Sequence, residues 1–322
     1  MKYNIFYGVI LFVALIAFGY STSAQQIRLK AGEQNIVTSD GIKLAVKVAG
    51  KGPVCIYIHG GPGQDYLSFE EMGGSNLEKR LTMVYLDQRG SGHSQNAKDY
   101  SLSRLVDDIE ETRKQLGADK IYLLSHSFGG VLAVNYAQKY QGHVSGLILA
   151  NSTLHFFNNS SLREQIMYSY RLLHKDTTIT NDNTQELLQQ NSLVRKKLNK
   201  VHLGYKLLAD SINTIEKMDS IESNYKRTSD FGYAVIAHLI DTTKQNRYPE
   251  YWKDYAPISS QIHVPVLVIT GTRDYAIGTA HYKTFRFPNQ HVVKLDGSHM
   301  LYYEKNAAFT ATVFRFIDKQ DR

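Results

Sequence analysis

Ile121-Tyr122-Leu123-Leu124-Ser125-His126-Ser127-Phe128-Gly129-Gly130-Val131-Leu132-Ala133 is the stretch on which the reading of the chain turns. Four apolar residues in a row, closed off by polar ones, describe a strand buried on both faces. From Val131 onward the apolar positions Val131, Leu132, Val134 and Ala137 suit a helix. Ser127 lies between the two, with Ser125 two residues before it and Gly129 two after. A serine on so tight a strand-to-helix turn takes a strained backbone and is lifted into a cleft as a nucleophile. Small flanking residues let strand and helix approach without side-chain clashes. The helix N-terminus behind the turn favours developing negative charge. Ser125 stands where such a turn usually has glycine, and the pattern alone also fits an ordinary serine in a loop.

Upstream, residues 34–38 and 42–48 alternate like half-exposed strands joined by a turn at Asp40-Gly41. Val54-Cys55-Ile56-Tyr57-Ile58 is the first buried strand and runs into His59-Gly60-Gly61-Pro62-Gly63. Glycine-rich backbone at a strand's carboxyl end exposes amide groups at the sheet edge where ligands bind. Gly61 N–H is therefore one candidate oxyanion donor, and Phe128 N–H, just after the serine, the other. Met83-Val84-Tyr85-Leu86 is a second buried strand, ending in Asp87-Gln88-Arg89-Gly90-Ser91-Gly92-His93-Ser94. Asp87 and Arg89 read as side chains that hold this loop. Ser101 is placed to cap a helix that closes at Gly117, and residues 144–150 form another buried strand.

From Asn151 the pattern changes. Up to about Ser260 no buried strand runs occur, and polar helical stretches take their place at residues 162–173, 184–209 and 212–225. Val264-Pro265-Val266-Leu267-Val268-Ile269-Thr270 then restarts the strand pattern and leads to Gly271-Thr272-Arg273-Asp274. Residues 291–295 lead into Asp296-Gly297-Ser298-His299, and a last amphipathic helix follows from about residue 304. The expected architecture is α/β, with a mostly parallel central sheet, helices on both faces and an inserted helical cap. The expected division is a core of residues 25–150 and 261–322 with a cap at 151–260.

An aspartate and a histidine thus each follow a late strand, in the order Ser127, Asp274, His299. That is the order of the α/β-hydrolase triad. His299 would take the proton from Ser127, and Asp274 would hold the imidazole tautomer and stabilise its charged form.

Residues 1–24 have the parts of a secretory signal peptide. Lys2 precedes an apolar run over residues 5–18, and Thr22 and Ala24 are small residues before a cleavage site ahead of Gln25. The expectation is an exported protein, periplasmic or secreted, with no stable membrane association after cleavage. About 300 residues remain, enough for one large core plus an insertion. Cys55 is the only cysteine, so no disulfide framework exists and Cys55 reads as core packing. The net charge of +7 is modest and no basic cluster is interleaved with aromatics, which argues against nucleic-acid binding. No metal-ligand spacing or dinucleotide fingerprint appears, so no cofactor is expected.

His59-Gly60-Gly61-Pro62-Gly63, the loop from Asp87 to Ser94, the turn at Ser127, Gly271-Thr272-Arg273-Asp274 and Gly297-Ser298-His299 together resemble the proline iminopeptidase-like serine peptidases of the α/β-hydrolase fold. The resemblance covers roughly residues 34–150 and 260–318. It implies a peptidase that releases N-terminal residues, often proline, from short peptides, with acidic cap residues holding the free amino group. The sequence departs from the family in three places. Ser125-His126-Ser127-Phe128 replaces glycines and a tryptophan, Trp252 precedes Lys253 rather than glutamate, and Gly278 stands where proline is frequent.

The leading expectation is an exported serine aminopeptidase acting on small peptides. The alternatives are a carboxylesterase or other small-molecule hydrolase, or a non-catalytic ligand-binding relative. In an aminopeptidase a cap carboxylate would bind the substrate ammonium by a charge-assisted hydrogen bond. Glu216 and Glu222, on the cap's densest acidic stretch, are the candidates, and a solvated helix face is the competing reading.

Overall fold

The structure is a computed structural model, and it describes residues 30–225, 227–240 and 243–320. The expected signal peptide lies outside the described residues. Eight strands form one sheet in the order β1-β2-β4-β3-β5-β6-β7-β8. They are β1 (Gly32–Val37), β2 (Lys43–Gly50), β3 (Val54–Ile58), β4 (Thr82–Leu86), β5 (Ile121–Ser127), β6 (Val144–Ser152), β7 (Val266–Gly271) and β8 (Gln290–Leu295). The β1–β2 and β2–β4 pairs are antiparallel, and every later pair is parallel. Parallel strands need a crossover between them, which is why helices cover the faces and why β3 to β7 read as unbroken apolar runs. Among the described residues no helix is long and apolar enough to cross a membrane.

In chain order the helices of the first half are α1 (Leu67–Glu71), α2 (Leu102–Leu116) and α3 (Gly129–Lys139). Two large apolar clusters lie on opposite faces of the sheet. One gathers Ile56, Leu123 and Leu147 with α2 and α3. The other gathers Tyr57, Leu124 and Ile148 with the C-terminal helix. Adjacent strand residues feed opposite clusters, as a pleat requires. Ser101 occupies the N-cap of α2, but its hydroxyl meets Ser103 Oγ at 3.4 Å instead of capping the backbone. Gly117 ends the helix in the left-handed conformation, at φ 68°.

Between β6 and β7 the described residues carry helices and no named strand: α4 (Asn159–Leu172), α5 (Thr184–Lys200), α6 (Ile212–Ser223), α7 (Asp230–Ile240) and short 3₁₀ turns. The expected single stretch over 184–209 breaks at Lys200, where His202 takes φ 58° and a 3₁₀ turn follows. After β8, α8 (Leu301–Glu304) and α9 (Asn306–Gln320) complete the chain.

Cap and core meet over the loops after β3 and β4. Thr228 N donates to Gly92 O at 2.9 Å and Phe231 N to Gly90 O at 3.0 Å. A Cβ on Gly63 would fall 2.6 Å from Gly232 N, so α7 lies directly on the glycine-rich loop.

Candidate active site

Ser127 closes β5, and α3 begins two residues later. Its φ of 54° is the left-handed backbone that the tight turn imposes on a residue with a side chain. The small neighbours are required by close approach. A Cβ on Gly129 would lie 2.4 Å from Ile58 O, and one on Gly60 would lie 2.8 Å from Ser127 Cβ. Ser125 fits where glycine is usual because Ser125 Oγ is 2.9 Å from Ser152 Oγ on β6, which satisfies a buried hydroxyl.

Asp274 follows β7 and His299 follows β8, and the two are in contact. His299 Nδ1 lies 2.9 Å from Asp274 Oδ2 and 3.1 Å from Oδ1. Both side chains are buried. Burial would push the Asp274 carboxyl up, but the charge and hydrogen bond of His299 outweigh it and hold it below the usual carboxylate range. Asp274 Oδ1 also accepts from Ala276 N at 3.1 Å. An imidazole whose Nδ1–H donates a hydrogen bond to a carboxylate presents a bare Nε2 as base.

His126, the residue before Ser127, links the turn to this pair. Its ring lies 4.5 Å from the His299 ring, and its Nε2 is 3.1 Å from His299 O. Burial pulls the His126 pKa down to about 3, so its ring is held neutral beside His299. Asn151, at the end of β6 with φ 43°, donates from Nδ2 to Ser298 O at 2.8 Å and pins the same loop. Neither His126 nor Asn151 was singled out from the sequence. The one available signal was an asparagine at a strand end, where the left-handed conformation is tolerated.

Gly61 and Phe128 follow β3 and β5, which are neighbours paired at Ile58 and Ser125. Their N–H groups donate to no protein acceptor among the described residues. Gly61 has φ 113°, and the Phe128 ring is fully buried, 5.1 Å from Phe156.

The two glycine-rich loops interlock. Gln88 N donates to His59 Nε2 at 3.0 Å, while Gln88 Nε2 donates to His59 O at 2.8 Å. Burial lowers the His59 pKa to about 4, which keeps Nε2 free to accept. Asp87 accepts from Tyr66 N at 3.1 Å and His93 N at 2.8 Å. Arg89, fully buried, forks onto Asp108 and Asp40. Asp87 and Arg89 thus do hold the loop.

The cap carboxylates lie apart. Glu216 is exposed on α6. Glu222 is committed: Oε2 pairs with Arg227 Nη2 at 2.5 Å, and Oε1 accepts from Ser68 Oγ at 3.1 Å. Arg227 in turn binds Asp65, 2.8 Å away on the core side. Among the described residues no group of three or more His, Cys, Asp or Glu could hold a metal ion.

Residues 53–306 match the alpha/beta hydrolase fold family, and the chain belongs to it. Within that family it is similar to a proline iminopeptidase of Saccharolobus solfataricus, 38% identical over 141 residues, which is 42% of this chain and 38% of that protein. The chain spans about two fifths of the length of the curated proline iminopeptidases it matches. Among solved structures, a proline iminopeptidase-related protein from Thermus thermophilus superposes with a TM-score of 0.69 at 21% identity, over 90% of this chain and 98% of that one. An esterase from Exiguobacterium antarcticum superposes at 0.63 and 19% identity, over 90% of this chain and all of the other. At these identities the superpositions speak to the fold.

Proposed function

We propose that the protein is an exported serine hydrolase that releases N-terminal residues from short peptides. Ser127 Oγ attacks the scissile carbonyl while His299 Nε2 takes its proton, and Asp274 holds the imidazolium that results. Gly61 N–H and Phe128 N–H receive the oxyanion. The tetrahedral species expels the amine, which takes the proton from His299. Water, deprotonated by the same imidazole, then releases the acyl group from Ser127. The observation that carries this reading is the contact run from Asp274 through His299 to His126, the residue next to Ser127. The peptidase reading rests on the matched proline iminopeptidases and the two glycine-rich loop motifs. Export rests on residues 1–24.

One observation favours an esterase as the second reading. Both oxygens of Glu222 are engaged, by Arg227 and by Ser68 Oγ, and Glu216 faces solvent, so neither is held ready over the site for an ammonium group. Purified protein offered chromogenic aminoacyl amides and short-chain esters in parallel separates the two. Faster turnover of free-amine amides than of their N-acetyl forms supports the aminopeptidase. Equal rates on both forms, with esters well ahead, would replace it with the esterase.

A further inference from the structure

Exposed apolar side chains gather on one part of the cap. Among the described residues the large apolar side chains that stand exposed are Val37, Leu193, Val201, Ile212, Tyr233 and Tyr303, and four of these six belong to the cap. Leu193 stands out furthest, at 60% exposure. Single exposed apolar residues need no explanation, whereas a group of them rimmed by polar residues marks an interaction surface.

The rim here carries one sign of charge. Residues 187–209 hold Arg195, Lys196, Lys197, Lys200 and Lys206 and no acidic residue. Among the described residues none of these five cations forms a salt bridge. Asp210, the next acid along the chain, is taken by Arg273 at 2.8 Å. On α5 the stripe Leu187, Asn191, Val194 and Leu198 is buried. Lys196, Lys197 and Lys200 are exposed on the other side, and at about 100° per residue all three fall within about 60° of Leu193 around the helix. A protruding leucine is thus ringed by three free ammonium groups.

The apolar surface continues on both flanks of α5. Leu188 and Leu193 line a shallow groove with Ile236 and Leu239 of α7. On the other flank a second groove runs along Leu207, Leu208, Ile212 and Ile215. Two kinds of protein partner fit this face poorly. A second copy in a two-fold contact would set these lysines against themselves, and protein interfaces in general are depleted of lysine. A bilayer with anionic headgroups fits it well, because lysine stems lie along apolar surface while their ammonium groups reach the phosphates.

We propose that the exposed face of α5 docks the cap reversibly on an anionic lipid bilayer, with Leu193 entering the headgroup region and Lys196, Lys197 and Lys200 on lipid phosphates. Each lysine close to an anionic leaflet strengthens binding about fivefold. The contact is peripheral and salt-sensitive, and it adds to the hydrolase a surface on which it works.

The test places an environment-sensitive fluorophore on the exposed position next to Leu193, as Ser192→Cys in the full-length protein. Cys55 is fully buried, so the introduced thiol is the one that reacts. No turnover is needed, and the outcome is decided independently of the peptidase reading. The expected result is a blue shift, with quenching by nitroxide-labelled lipid, on vesicles containing phosphatidylglycerol but not on phosphatidylcholine alone, reversed by high salt. The same fluorophore on Val37→Cys, on the core, should stay in water and serves as the control for contact made elsewhere on the chain. Lys196→Gln, Lys197→Gln and Lys200→Gln together should raise the lipid concentration at half effect about 100-fold. Leu193→Gln should raise it about tenfold. Lys51→Gln, Lys120→Gln and Lys283→Gln, which remove the same charge from exposed core positions, should leave it unchanged. No shift on anionic vesicles, an equal shift on neutral ones, or an undiminished shift in the folded cap triple variant overturns the proposal. So does a shift that appears without lipid and grows with protein concentration, which would assign the face to a second copy.

Discussion

Gly60→Ala tests how closely the loop after β3 is fitted to the nucleophile. The added methyl would sit 2.8 Å from Ser127 Cβ, 3.2 Å from His126 O and 3.4 Å from Ser127 Oγ. Carbon atoms pack at about 3.5–4.0 Å, so relief demands a displacement of roughly 0.7–1.2 Å at the reacting side chain. Misplacement on the order of 1 Å costs about 10²-fold in rate, and we expect turnover to fall between about 10- and 100-fold. Overpacking should cost about 1–3 kcal/mol of stability, which in a chain of this size moves Tm by only several degrees. The assay pairs the rate of phosphonate labelling with a circular dichroism melt. Gly142→Ala is the control, since a Cβ there meets nothing within 4 Å. Labelling of folded Gly60→Ala at the wild-type rate would refute the reasoning, because the contact would then not constrain Ser127.

Arg89→Met should lower stability by about 3 kcal/mol in urea titration, since it leaves the buried carboxylate of Asp108 with only Arg104, 3.1 Å away, as its cation. Adding Asp108→Leu to that variant should recover part of the loss, and no recovery would argue against the ion-pair account. Asp87 supplies a pH signature. Burial pushes its carboxyl from the usual 3.8 to about 7, so the folded protein keeps a proton that the unfolded chain releases. Its contribution to stability is therefore complete below about pH 4 and is lost as pH rises to about 7. Asp87→Asn should flatten that part of the Tm–pH curve, and an unchanged slope would count against it. Asn151→Gly keeps the left-handed backbone but removes the hydrogen bond to Ser298 O, so we expect turnover to fall about tenfold with little change in Tm. Wild-type turnover would remove Asn151 from the positioning of His299.

The central strands were legible because parallel strands covered on both faces need continuous apolar runs, and residues 54–58, 121–124 and 266–269 supply them. The contact of Asp274 with His299 was legible for a related reason, since both end adjacent strands of the sheet. The cap was harder. In α7 the run Phe231-Gly232-Tyr233-Ala234-Val235-Ile236 has no polar stripe, because that helix lies on the glycine-rich loop after β3 and sends Phe231 and Val235 into the core cluster with Tyr100, Phe128 and Tyr251, and amphipathic periodicity missed it. Glu222 pairs with Arg227 five residues on, past the end of α6 and so outside the three- and four-residue spacings of a helix, and Asp65 joins them from 162 residues away, so Glu222 could be read as acidic but not as already paired. His126 and Asn151 act through backbone carbonyls, a role that leaves little trace in residue type.

The account stands on Ser127 being the nucleophile served by His299 and Asp274. The most direct measurement is intact-mass and peptide mapping after a serine-directed phosphonate, on the wild type, Ser127→Ala and His299→Ala. The account predicts one adduct per chain, located on Ser127, absent in Ser127→Ala and formed far more slowly in His299→Ala. An adduct that persists in Ser127→Ala, or a rate unchanged by loss of His299, would contradict it.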